Sequence, residues 1–334
     1  MKNFSPYTDL ALEVAESLTN NTDNDLEGLK IFTEDCEMKK TSVTSVEITS
    51  PIGEEKMGRP MGTYITLESV FIKENNPEAH EKLIAILSKH LNQLCPLNNE
   101  KPILVVGLGN SQVTPDSLGP KTVDKILVTR HLKENLPDSI SDTVRSVAAL
   151  SPGVMGVTGI ETLEVIKGIV ERIQPQLVIA IDALAARKVS RINTTIQICD
   201  TGVAPGGGVG NKRSKLDKES LGVPVIAIGV PTVVDAATLA NDTIDRMLDT
   251  IDSLGHTILD RISSQDRYDM IQQILDPYTE NMFVTPKEVD EVTDNLANII
   301  ANGINIAIQP PIENDDINTV SYTHLRAHET SAHL

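Results

Sequence analysis

Aromatic side chains are nearly missing from this chain. They make up 3% of its 334 residues, and there is no tryptophan. A core at this length must then be aliphatic. Positive charge is also short, with 29 Lys and Arg against 47 Asp and Glu, for a net charge of -18. General binding to nucleic acid needs a basic footprint, so that class is excluded. Such acidity permits a basic or neutral protein substrate and otherwise serves solubility. Three cysteines, Cys36, Cys95 and Cys199, are scattered and odd in number. They form no paired metal motif and read as free thiols of a reducing cytoplasm. No apolar run approaches membrane-spanning length. The N-terminus lacks the basic and apolar regions of a signal peptide.

What is present is organised around Ile103 to Pro120, ILVVGLGNSQVTPDSLGP. Its aliphatic start reads as a strand buried on both faces, as in a parallel sheet. Gly107 and Gly109 allow a sharp turn and close backbone approach, with Asn110 next. Pro120 suits the start of a helix, expected to run to Leu136. Asp116 should therefore stand at the carboxyl end of a core strand, where open α/β sheets bind ligands. Leu177 to Ile181 is a second such strand and runs straight into Asp182. If the two are parallel neighbours, Asp116 and Asp182 leave one edge of one sheet and form a candidate acid/base pair. The alternative is that each caps a helix or holds a loop.

The rest of the chain fits around these strands. Residues 28–70 have a β texture and read as a small antiparallel element beside the main sheet. Val43 falls out of phase with Val46-Glu47-Ile48-Thr49, which implies a bulge or a later strand start. Asn76 to Leu94 reads as a helix. Thr158 followed by Glu161 fits a capping box, in a loop that also holds Gly156. That helix N-terminus could polarise a substrate carbonyl, or it could simply open a crossover helix. Gly202 to Arg213 is glycine-rich but lacks the P-loop ending, and Gln112 replaces the third glycine of a dinucleotide fingerprint. Val223 to Val230 is a further buried strand, followed by Asp235 before a helix. Ile262 to Tyr278 and a stretch opened by Thr285 and Pro286 read as helices. Strands alternating with helices give an α/β fold with a mostly parallel sheet flanked by helices. Its core is expected over 100–310 within a single domain, 10–315. Residues 316–334 are irregular, and Val320 to Thr330 resembles translated read-through; no function is assigned there.

Several long stretches together resemble the germination proteases of endospore-forming bacteria. They are VVGLGN at 105–110, TPD at 114–116 with LGPK at 118–121, PGVMG at 152–156, AIDALAAR at 180–187, VGNKR at 209–213, IGVPTVVDA at 228–236 and VTPKEVD at 284–290. The resemblance implies an atypical aspartic endopeptidase that degrades small acid-soluble spore proteins in the forespore and spore core. Its catalytic carboxylates match Asp116 and Asp182. Gly109, Asn110, Gly156, Thr158, Arg187 and Asp235 are candidates that bind substrate or support the site. It also implies a homotetramer, and a zymogen that removes its own propeptide. Thr8-Asp9-Leu10-Ala11-Leu12-Glu13 mimics the family's substrate pattern, which places cleavage between Asp9 and Leu10 and makes residues 1–9 the propeptide. The core is expected to be distantly similar to hydrogenase maturation endopeptidases, whose metal-dependent chemistry is the alternative function. Those use an acid-acid-His set, and His131 lies a helix away from Asp116. No cofactor and no metal are expected.

Overall fold

The computed structural model describes residues 8–19, 27–94, 97, 101–133, 145–204, 214–253, 270–271 and 282–309. Apart from residues 270–271, the helix expected over 262–278 lies outside the described residues, as do the glycines of 205–213, residues 1–7 and the tail. Among the described residues, nine strands form one sheet: β1 Leu29–Asp35, β2 Thr41–Ile48, β3 Gly62–Ser69, β4 Ile103–Gly107, β5 Val147–Leu150, β6 Leu177–Ala186, β7 Thr195–Cys199, β8 Val225–Asp235 and β9 Phe283–Val284. Their order is β1-β2-β3-β7-β8-β6-β4-β5, with β9 paired to β8.

The sheet is mixed, which corrects the expectation of a mostly parallel one. Strands β5, β4, β6 and β8 run parallel. Strands β1, β2, β3 and β7 join antiparallel, and β7 meets β8 antiparallel. The element over 28–70 therefore does not stand beside the main sheet. It continues that sheet through β7. The shift at Val43 has the same origin. The β2 ladder is unbroken, and Val43 packs into a core on one face while Val46 and Ile48 pack on the other. A strand covered on both faces needs no bulge to bury residues of both phases.

Helices cover both faces. We label them α1 Ala11–Thr19, α2 Pro51–Met57, α3 Pro77–Leu94, α4 Leu118–Val123, α5 Thr162–Ile173, α6 Ala236–Ser253 and α7 Val289–Ile308. Leu83 and Leu87 of α3, Leu118 of α4 and Ile300 and Ile304 of α7 bury Ile103, Val105, Ile179, Ile181 and Ile228. On the other face Ile166 and Val170 of α5 pack on Leu104, Val106, Val178 and Ala180. Ala11 and Ala15 of α1 pack on Val46, Tyr64 and Ala227.

Three helix boundaries differ from expectation. The pattern from Pro120 breaks after Val123, leaving a four-residue helix over 130–133 further on. The helix after Thr285 begins only at Val289, and the Thr285 hydroxyl instead donates to the Thr232 carbonyl at 2.9 Å. No capping box joins Thr158 to Glu161. A short helix over 155–158 ends at Gly159 with φ 71°, and Ile160, which precedes α5, is exposed. The left-handed glycine separates two helices where the spacing alone suggests one.

Candidate active site

Strand β4 ends at Gly107, paired with Ile181 of β6, and the Leu108 N–H still donates to the Ile181 carbonyl at 2.8 Å. Asp182 is thus the first β6 residue beyond that pairing. It does not end its strand as expected. Strand β6 continues to Ala186 because β8 keeps pairing with it, through Pro231, across a register shift between Leu184 and Ala185. Proline is tolerated at such an irregularity. Ile181 faces the α3–α7 side, so Asp182 faces the opposite side, toward α1.

In register, Asp182 pairs with Gly229 of β8, and Gly229 pairs with Gln197 of β7. The three form one row across three strands, and Asp182 and Gln197 project on the same face. Neighbouring strands lie about 4.8 Å apart, so the two flank a floor roughly 10 Å wide. The floor has no side chain of its own. A Cβ on Gly229 would sit 2.3 Å from Leu184 Cδ1. Above it is a cleft of about 220 Å³ whose walls include Asp182, Gln197, Asp9, Arg59, Tyr64, Cys199 and Lys215. Burial pushes the Tyr64 phenol up to about 12 and raises the Cys199 thiol, so both stay protonated near neutrality. A buried protonated thiol is a poor nucleophile, which keeps Cys199 a structural residue.

The N-terminal segment supplies part of the wall of this cleft through Asp9. The Asp9 N–H donates to the Ala185 carbonyl at 2.9 Å, and its Oδ2 accepts from the Ala185 N–H at 2.8 Å. Gln197 Nε2 donates to the Asp9 carbonyl at 3.2 Å, and Gln197 Oε1 accepts from the Ala11 N–H at 2.7 Å. Arg59 Nη2 donates to the Thr8 carbonyl at 2.8 Å. Leu10 is fully buried among Leu184, Ala186, Ile192 and Val234. Glu13, 2% exposed, accepts from the Thr8 hydroxyl and from the backbone N–H groups of Arg187 and Lys188, the latter two at 2.7 and 2.9 Å. Arg191 reaches Glu13 at 3.5 Å, Glu16 at 2.6 Å and Glu68 at 2.7 Å. The buried carboxylates thus have charged and hydrogen-bonding partners, as burial requires.

Asp116 belongs to a second, tighter unit one strand over. It closes a 3₁₀ turn over Thr114–Asp116, and its Oδ2 accepts from the Asn110 N–H at 2.8 Å. Gly109 has φ 109°, and a Cβ there would lie 2.1 Å from the Asp116 carbonyl oxygen. Only glycine fits that approach. The Thr232 hydroxyl ties the turn to β8 through the Pro115 carbonyl at 2.7 Å. Asp182 stands in the wall of the cleft described above, and Asp116 is not among the residues lining it.

The other expected site residues have partners of their own. The Arg187 backbone N–H donates to Glu13 at 2.7 Å. Asp235 opens α6, where its Oδ2 accepts from the Thr238 N–H and hydroxyl at 2.8 and 2.9 Å. Gly156 and Thr158 follow the edge strand β5 and are exposed. Thr158 bonds to its neighbours Val154 and Ile160, and open space surrounds Gly156. Sequence reasoning missed Gln197, Arg59 and the Glu13–Arg191 cluster. Gln197 alternates with Ile196 and Ile198, and a polar residue in that phase reads as facing water. The signal that could have found it is that the same phase also holds Cys199, an apolar residue type, two positions on. Among the described residues, no group of three or more His, Cys, Asp or Glu is placed to hold a metal ion. Among them, no helix is long and apolar enough to cross a membrane.

A family model described as germination protease matches residues 8–258 and 253–323. The chain is 46% identical over 317 residues to the germination protease of Caldanaerobacter subterraneus, covering 93% of this chain and 96% of that protein. It is 46% identical over 323 residues to the germination protease of Clostridium acetobutylicum, with 94% and 98% covered. The germination protease of Bacillus subtilis is 41% identical over 357 residues, with 95% and 96% covered.

Proposed function

The chain belongs to the germination protease family and is a peptidase, and from that premise we propose that it cuts its own chain between Asp9 and Leu10 and then begins the degradation of small acid-soluble spore proteins. Asp116 and Asp182 are the acid/base pair of this reading. The ionised member takes a proton from water as the water oxygen bonds to the peptide carbonyl carbon. The protonated member hydrogen-bonds the carbonyl oxygen. The carbon–nitrogen bond then breaks, the departing amine takes the proton, and a carboxylic acid is left. The two roles need one member ionised and the other protonated. Homotetramer assembly and action in the forespore and spore core complete the proposal.

The observation that carries the reading is that Asp9 shares the wall of one cleft with Asp182 and Gln197, and that its carbonyl accepts from Gln197 Nε2 at 3.2 Å. The test is incubation of the purified full-length chain near neutral and mildly acidic pH, with and without chelator, followed by N-terminal sequencing. Leu10 should appear as the new first residue in both arms. Asp116→Asn and Asp182→Asn should each slow its appearance by roughly 10²–10⁴-fold. Near-normal processing by both variants would end the dyad. Loss of processing with chelator would move the same carboxylates to metal-dependent chemistry.

A further inference from the structure

We propose that Gln197 is a catalytic residue of self-processing, the donor that polarises the Asp9 carbonyl and the clamp that fixes the peptide over Asp182. The inference rests on the reading that the Asp9–Leu10 bond is the one cut. Its geometry is independent of that reading. Gln197 is 6% exposed, and its amide is used on both sides: Nε2 to the Asp9 carbonyl and Oε1 to the Ala11 N–H. The partners fix the amide orientation, because a carbonyl only accepts and an N–H only donates. The two bonds bracket residue 10, so they hold the peptide between them in one pose.

The row Asp182–Gly229–Gln197 sets the rest. Asp182 and Gln197 rise from the same face, with a strand lacking a side chain between them. The carbonyl carbon of Asp9 is held at the Gln197 side, and a carboxylate stands across the floor. When water adds to that carbon, negative charge develops on the oxygen that Nε2 already contacts. A preorganised donor at that atom stabilises the transition state more than the planar amide. The flanking residues anchor the same pose. The Ala185 N–H holds the Asp9 carboxylate, and Leu10 fills an apolar hole beside Leu184. An acidic residue before the bond and an apolar one after it are what these two contacts select.

The test uses the full-length chain and the rate at which Leu10 appears as first residue. Gln197→Glu keeps an acceptor for Ala11, but near neutrality it turns a carboxylate oxygen toward the Asp9 carbonyl. Processing should fall about 10²-fold there, the loss seen when one such donor is removed. Protonating the new carboxyl restores a donor, so the variant should recover toward wild type as pH falls through the carboxylate range. Gln197→Met, similar in length and without a donor, should stay slow at every pH while unfolding at a temperature near wild type. A folded Gln197→Met that processes within a few-fold of wild type overturns the proposal. So does a Gln197→Glu rate that follows wild type across the pH range. Wild-type cleavage at another bond, or normal processing by Asp182→Asn, sinks the underlying reading, and this inference with it. If Asp182→Asn is inactive and the Gln197 variants are not, only the role of Gln197 falls.

Discussion

Asp116 lies in a turn that follows β4, Asp182 lies in the neighbouring strand β6, and the two are held by opposite means. Asp116 is positioned by its own loop: its polar partner Asn110 is six residues away, and Gly109 lies against it. Asp182 is positioned by the sheet, and its cleft is finished by residues far away in sequence. The segment over it is tied by bonds spanning 174 to 188 residues, from Glu13 to Arg187 and from Asp9 to Gln197. One carboxylate can be set by a short peptide, and the other only by the completed fold. Local geometry should therefore fail by strain, and the distant one by undocking.

The largest effect is expected on the distant side. Arg191 has a side chain 7% exposed and gathers Glu13, Glu16 and Glu68 onto one guanidinium. Arg191→Met leaves Glu13 buried without its cation. Removing one partner of a buried pair costs about 3–5 kcal/mol. Denaturant unfolding should show that loss, and limited proteolysis should cut around residue 10 much faster than in wild type. Unchanged protection there would mean that the backbone bonds to Ala185 and Gln197 suffice to hold the segment.

A smaller effect is expected from the local side. Gly109→Ala places a methyl against the Asp116 backbone at a positive φ that non-glycine residues rarely adopt. Strain of that kind costs about 1–3 kcal/mol. The methyl can be relieved only by moving the turn, so Asp116 moves with it. Self-processing should slow by about tenfold or more while α1 stays protected from protease. Gly156→Ala is the control within the same glycine-rich texture. Open space surrounds that position, so stability should hold or rise slightly. Unaltered processing by Gly156→Ala would remove Gly156 from the site.

The same contrast explains what the sequence reveals. Asp116 with its glycine and asparagine is legible because strand, turn and carboxylate are contiguous. Asp182 is legible as a carboxylate after an aliphatic run, but its strand reads five residues too short. Continuation past Asp182 depends on pairing with β8, and Pro231 hides that pairing. The mixed sheet is illegible for a related reason. Whether residues 28–70 stand apart or extend the sheet is decided by β7, whose five residues give no hint of their neighbours. Asp235 reads equally as a site carboxylate and as a helix cap, and the bonds to Thr238 show it capping α6.

The smallest effect is on pH, and it sharpens the account of the distant side. Glu16 carries a conflict of causes: burial raises its pKa, and hydrogen bonds and charge from Arg191 and Lys188 lower it by more, so the net shift is down from 4.5. A carboxylate depressed in the folded state adds stability that is fully present above its unfolded value. That stability is lost as pH falls through the folded value. The contribution should then be whole at neutral and mildly acidic pH and fade only below about 4.5. Glu16 is about a third exposed, so solvent screening limits it to about 1 kcal/mol or less. Glu16→Gln should lower the unfolding temperature slightly at pH 7, and the gap should close in acid. A gap that persists well below pH 4 would assign the loss to the shape of the side chain rather than its charge. A gap that closes near pH 6 would mean that a different group controls the docking of α1.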